Sequence, residues 1–128
     1  MARLALVVDD SMLIRHTVCR YLEERGFSVE SASNGQEALD MLASLQPDLI
    51  VTDLQMPKMG GGELISALKS KEATATIPVV ILAGKKKDGP QMPEEKIANY
   101  VIYKDIDIET QLQKAIISAL GEGVVGHS

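Results

Sequence analysis

Five short apolar or alternating runs, each followed by a stretch of helical periodicity, constrain this chain more than any other feature. Leu4-Ala5-Leu6-Val7-Val8, Leu49-Ile50-Val51, Ile77-Pro78-Val79-Val80-Ile81-Leu82 and Tyr100-Val101-Ile102-Tyr103 are unbroken by charge, as strands covered on both faces must be. Phe27-Ser28-Val29-Glu30-Ser31-Ala32 instead alternates, as a half-buried edge strand does. Between the runs, Ile14, Val18, Tyr21 and Leu22 mark a first helix that Ser11 can cap and Gly26 can close. Asn34-Gly35 reads as a turn into a second stripe, Ala38, Leu39, Leu42 and Leu45, ended by Pro47. Leu64, Ile65 and Leu68 mark a third helix to about Ser70, after the Gly60-Gly61-Gly62 loop. Ile108, Leu112, Ala115, Ile116, Ala119 and Leu120 mark the last, starting at Asp107 or Ile108 and stopped by Gly121. Residues 83–93 carry two Gly, two Pro and Lys85-Lys86-Lys87, which leaves residues 93–98 for a short or irregular fourth helix of about two turns.

Strands alternating with helices predict an α/β fold with a doubly wound five-stranded parallel sheet joined by right-handed crossovers. With the amphipathic strand at an edge, the expected order is 2-1-3-4-5. A length of 128 residues fits one domain, placed at residues 1–120, with 121–128 as a flexible tail or the start of a linker. With 45% hydrophobic and 24% charged residues the chain has the composition of a folded globular domain. Its net charge of −5 argues against nucleic acid as a partner. The lone Cys19 cannot form an internal disulfide and reads as a small core residue. No apolar run is long enough to span a bilayer, and Met1-Ala2-Arg3 leads straight into the first strand. No membrane contact and a cytoplasmic address are therefore expected.

The strand order carries the chemistry. It brings Asp9-Asp10, which end the first strand, beside Asp53, which ends the third, at the carboxyl edge where open α/β sheets bind ligands. Adjacent strands are about 5 Å apart, and three carboxylates that close repel one another unless a cation lies between them. Mg²⁺ suits one or two carboxylates together with a substrate phosphate.

The elements Val7-Val8-Asp9-Asp10-Ser11, Asp53-Leu54-Gln55-Met56-Pro57 and Lys104 after the fifth strand, in that order and spacing, resemble the receiver domain of two-component response regulators, of the chemotaxis-regulator type. The resemblance covers about residues 4–120 and implies the flavodoxin-like receiver fold. It also implies that Asp53 accepts a phosphoryl group from a sensor histidine kinase or phosphotransfer protein and signals, as a step in a phosphorelay, to a downstream protein. Asp10 would bind Mg²⁺ directly, Asp9 largely through water, and the backbone carbonyl of Gln55 would be a further ligand. Lys104 would contact the phosphoryl group as a mobile point charge. The resemblance places kinase docking at Ser11, Met12 and Arg15 and in the loop after the fifth strand. Enzymatic activity would be limited to phosphoryl acceptance and slow self-dephosphorylation.

Two departures bear on switching. Receivers carry a Ser or Thr hydroxyl at the end of the fourth strand; here Ala83-Gly84 stands there, leaving the Gly84 N–H as a donor. The usual Lys-Pro reads Lys104-Asp105, which favours a trans peptide. The switch aromatic, three residues before the lysine, is Val101, with Tyr103 on the same strand face and Tyr100 on the other. A pseudo-receiver that binds proteins without phosphorylation-driven switching is the alternative reading. An aspartyl-phosphate phosphatase is a more distant one, because the second acid two residues after its nucleophile is Gln55 here.

Overall fold

The computed structural model describes residues 3–53, 61–83, 100–103 and 107–120. Five strands, β1 (Leu4–Val8), β2 (Ser28–Ala32), β3 (Leu49–Asp53), β4 (Val79–Ala83) and β5 (Tyr100–Tyr103), pair in parallel in the order β2-β1-β3-β4-β5. The described helices are α1 (Met12–Glu24), α2 (Gly35–Leu42), α3 (Gly61–Lys69), the single turn α4 (Glu72–Ala75) and α5 (Ile108–Leu120). The expected short helix at residues 93–98, the Lys85-Lys86-Lys87 run and the tail at 121–128 lie outside the described residues.

Alternation along the strands sorts the core into two layers. Ala5, Val7, Leu49, Val51, Val80, Leu82 and Ile102 meet Val18, Tyr21 and Leu22 of α1 and Leu112, Ala115 and Ile116 of α5. Leu6, Val8, Ile50, Val79 and Ile81 meet Ala38 of α2 and Leu64, Ile65 and Leu68 of α3. β1, β4 and the Leu49-Ile50-Val51 part of β3 are therefore continuously apolar because both of their faces are covered. The edge strand β2 leaves Ser28, Glu30 and Ser31 exposed.

Helix α1 begins as its sequence implies: the Ser11 Oγ accepts from the Ile14 N–H at 3.3 Å. It ends at Gly26, whose φ of 92° is the left-handed conformation that glycine adopts without a Cβ penalty. There the Gly26 N–H bonds Glu23 O at 3.0 Å and the Phe27 N–H bonds Leu22 O at 3.1 Å. These are the two hydrogen bonds of a Schellman turn, and Phe27 joins Leu22 in the core.

One local expectation is corrected, the end of α2. Asn34 turns the chain into α2 as its N-cap: its Oδ1 accepts from the Glu37 N–H at 2.8 Å and so satisfies an orphan donor of the first turn. The same helix stops at Leu42, so Leu45, expected on its stripe, and Pro47, expected to end it, both lie beyond it. Its end tightens as the Ser44 and Leu45 N–H groups both bond Met41 O, at 3.1 and 3.0 Å, and the chain then descends to a buried Pro47. Helix α4 follows α3 directly, held by the Thr74 hydroxyl donating to Leu68 O at 2.6 Å.

Helix α5 starts on Asp107, whose Oδ1 accepts from the N–H groups of Glu109 and Thr110 at 3.1 and 3.3 Å. The Thr110 hydroxyl donates to its Oδ2 at 2.8 Å. That hydroxyl bond, and after it the backbone bonds, hold the Asp107 carboxyl below its ordinary value of 3.8. A carboxyl depressed in the folded state is protonated first in the unfolded chain. Its stabilising contribution is thus complete above 3.8 and disappears as the pH falls below it. Asp107→Ala should accordingly lower the melting temperature at neutral pH, and the gap from wild type should close on acidification through that window. A gap independent of pH would show that the charge contributes nothing.

Candidate functional site

β1 and β3 are neighbours in the middle of the sheet, with Val8 opposite Thr52. The next residue along each strand, Asp9 and Asp53, therefore stands at the same carboxyl edge. One carboxylate oxygen from each of Asp9, Asp10 and Asp53 lies within 4.8 Å of the others. Asp9 is fully buried, Asp53 is 6% exposed and Asp10 is exposed, so the cluster opens to solvent on one side.

Local hydrogen bonds fix this edge. The Asp9 N–H donates to Ala32 O at 3.1 Å, continuing the β1–β2 pairing by one residue. The Ser11 N–H donates to Asp9 Oδ1 at 2.8 Å, which partly offsets the cost of burying that carboxylate. Arg15 reaches back from α1 and donates from Nη1 to the Asp9 carbonyl at 2.7 Å. On β3, the buried Thr52 hydroxyl donates to the Asp53 carbonyl at 3.0 Å. Neither the Arg15 bond nor the Thr52 bond has a periodic signature in sequence.

The donor set suits a hard cation. Oxygens on opposite sides of an octahedral Mg²⁺ ion are about 4.2 Å apart, from a metal–oxygen distance of about 2.1 Å. A spread of 4.8 Å is thus reached by a small side-chain adjustment or by one water between a carboxylate and the ion.

The remaining expected positions divide. Ala83, opposite Tyr103 on β5 and 4% exposed, ends β4 beside Leu82, the register partner of Asp53. It offers no side-chain donor. Val101 and Tyr103 are half-buried against the α2–α3 layer and Tyr100 against the α1–α5 layer, as alternation requires. Met12 and Leu13, at the first turn of α1, are 75% and 72% exposed. Arg15 is half-buried, its guanidinium turned to the Asp9 carbonyl rather than outward. His16 is exposed on α1, and Cys19 is half-buried against the core, its thiol pKa pushed up first by burial and then by Glu23. Gln55, Gly84, Lys104 and Asp105 lie outside the described residues. Among the described residues, no helix is long and apolar enough to cross a membrane.

Residues 5–117 match the family model described as the response regulator receiver domain. The gliding motility regulatory protein of Myxococcus xanthus is 46% identical over 78 residues, covering 61% of this chain and 10% of its own length. Response regulator MprA of Mycolicibacterium vanbaalenii is 40% identical over 80 residues, covering 62% of this chain and 34% of its own length. The matched segment is thus a minor part of those relatives. Among solved structures, chemotaxis response regulator CheY4 of Vibrio cholerae superposes with a TM-score of 0.82 at 30% identity, covering 92% of this chain and 99% of that one. The signal receiver domain of a histidine kinase from Syntrophus aciditrophicus gives 0.78 at 28% identity, covering 99% and 97%. Sheet order, acidic edge and a family match that runs through all five strands agree: the chain belongs to the response regulator receiver domain family.

Proposed function

We propose that this chain accepts a phosphoryl group on Asp53 from a phosphohistidine of a sensor histidine kinase or phosphotransfer protein, and passes the signal on by protein contacts. The observation that carries the reading is the buried Asp53 at the carboxyl edge with oxygens of Asp9 and Asp10 within 4.8 Å. A carboxylate oxygen of Asp53 attacks phosphorus as the phosphorus–nitrogen bond breaks; the electron pair leaves on the imidazole, which takes up a proton, and an acyl phosphate remains. Bound Mg²⁺ supplies charge neutralisation between the carboxylates and the incoming phosphoryl oxygens. Asp10, Asp53, the Gln55 carbonyl and, largely through water, Asp9 would hold it. Lys104 and the Gly84 N–H supply further contacts to the phosphoryl group. Hydrolysis of the acyl phosphate by water resets the domain. The net charge of −5 favours protein over nucleic acid as the partner. We place the module at residues 1–120, with 121–128 a tail or linker, in the cytoplasm where such kinases have their transfer domains.

Incubation with acetyl phosphate and Mg²⁺ should add one phosphoryl group to the intact mass, stable in acid and labile in base, and EDTA should prevent it. A mass unchanged under both conditions would overturn the reading.

The phosphodonor protein docks around Ser11 and Met12. Met12 puts an apolar, adaptable side chain in solvent two residues from Asp10, while Arg15 acts from beneath by holding the Asp9 carbonyl. Met12→Lys should slow transfer from a cognate kinase and leave acetyl phosphate labelling at the wild-type rate. Equal losses with both donors would make Met12 a structural residue.

A further inference from the structure

Arg15 is a cation that takes no part in the phosphoryl transfer derived above, yet its side chain is directed at one backbone group of the acidic edge. It stands in the first turns of α1, where side chains tilt back toward the helix N-terminus, so its long stem runs toward the end of β1. From a half-buried position its Nη1 donates to the Asp9 carbonyl at 2.7 Å. That is the short distance of a charge-assisted hydrogen bond.

The bonded oxygen belongs to the peptide that joins Asp9 to Asp10. A peptide unit is planar, so a hold on its oxygen also fixes the nitrogen and Cα of Asp10. Two further bonds grip the residues on either side of Asp10: the Asp9 N–H donates to Ala32 O at 3.1 Å, and the Ser11 N–H donates to Asp9 Oδ1 at 2.8 Å. Asp10 itself is exposed. Its carboxylate oxygen therefore stands within 4.8 Å of those of Asp9 and Asp53 because its backbone is held, not because its side chain is packed. We propose that Arg15 is a positioning residue for the metal site: by fixing the Asp9–Asp10 peptide it sets the Asp10 carboxylate where a divalent cation can share it with Asp53. This inference rests on the Mg²⁺ site of the proposed function. Charge alone gives Arg15 the opposite effect, since a guanidinium beside a cation site repels the cation. The two roles thus differ in sign.

The test compares wild type with Arg15→Met, which keeps an unbranched stem and a high helix propensity while removing the donor and the charge. Mg²⁺ binding, followed by isothermal titration calorimetry, should weaken by about ten-fold, the lower end of the about 10–100-fold that loss of a ligand-orienting hydrogen bond costs. In metal-free protein the backbone amide NMR signals of Asp10 and Ser11 should move. Those of Val18, Tyr21 and Leu22, buried further along the same helix, should keep their wild-type positions. An Arg15→Met variant that binds Mg²⁺ as well as wild type or better would make Arg15 a neighbouring charge only and overturn the proposal. Signals that move along the whole of α1 would reduce the bond to a structural tie and overturn it equally. Wild-type protein that binds no Mg²⁺ would overturn the metal site of the proposed function and this inference with it, which distinguishes that failure from a failure of Arg15 alone.

Discussion

Asp53→Asn is expected to take phosphoryl incorporation from acetyl phosphate to background while leaving a folded protein. The amide that replaces the carboxylate is neutral and a poor nucleophile, and Asp9 and Asp10 lie on the other strand and the turn beyond it. Unfolding can be separated from loss of the nucleophile by magnitude. Two unit charges within 4.8 Å of each other repel by about 3.5 kcal/mol or more at an effective dielectric of about 20. Without metal, removing the Asp53 charge relieves that repulsion; with Mg²⁺ added, the wild type gains more from binding the ion. The melting-temperature gap between wild type and variant should therefore shift in favour of wild type when Mg²⁺ replaces EDTA. A gap that does not change would contradict this electrostatic account of the edge, and a variant that still labels fully would contradict the assignment of Asp53.

Ala83→Thr is expected to enlarge the response to phosphorylation by about ten-fold in the ratio of active to inactive conformers. A ligand shifts a conformational equilibrium only through contacts that differ between the two states. Wild-type Ala83 ends β4 beside the register partner of Asp53 with no hydroxyl to offer. A hydrogen bond to a charged group contributes about 1.5–3 kcal/mol, and about 1.4 kcal/mol is a factor of ten. The site is only 4% exposed, so the added atoms cost about 1–3 kcal/mol of overpacking in both states; this lowers stability without favouring either state. Backbone NMR shifts across β4 and β5 on adding beryllofluoride with Mg²⁺ read the effect. Wild type should shift little there and Ala83→Thr substantially. Large saturable shifts in wild type would mean that another contact drives the switch.

The acidic edge was legible in the sequence because it depends on strand order alone. Continuous apolar runs mark β1, β3 and β4 as interior, the alternating run marks β2 as an edge, and that order sets Asp9 beside Asp53 whatever the side chains around them do. Features that depend on one side chain meeting one backbone group were not legible. Leu45 keeps helical spacing with Leu42 although the backbone has already left the helix. Asn34 has the same composition whether it makes a turn or a cap, and only the bond to the Glu37 N–H separates the two. Gln111 sits beside Leu112 in a stripe that predicts α5 correctly, yet its amide bonds to the Tyr103 backbone leave no periodic mark. Arg15, which the resemblance assigns to kinase docking, shows its bond to the Asp9 carbonyl only in the structure.

The account stands most directly on where the phosphoryl group goes. Labelling wild-type protein with acetyl phosphate and Mg²⁺, reducing it with borohydride and sequencing the peptides by mass spectrometry identifies the residue, because borohydride converts an acyl phosphate to the corresponding alcohol. The predicted result is conversion at position 53 alone, absent when EDTA replaces Mg²⁺. Conversion at Asp9 or Asp10 instead, or a phosphoryl group found on His16 with position 53 unmodified, would contradict it.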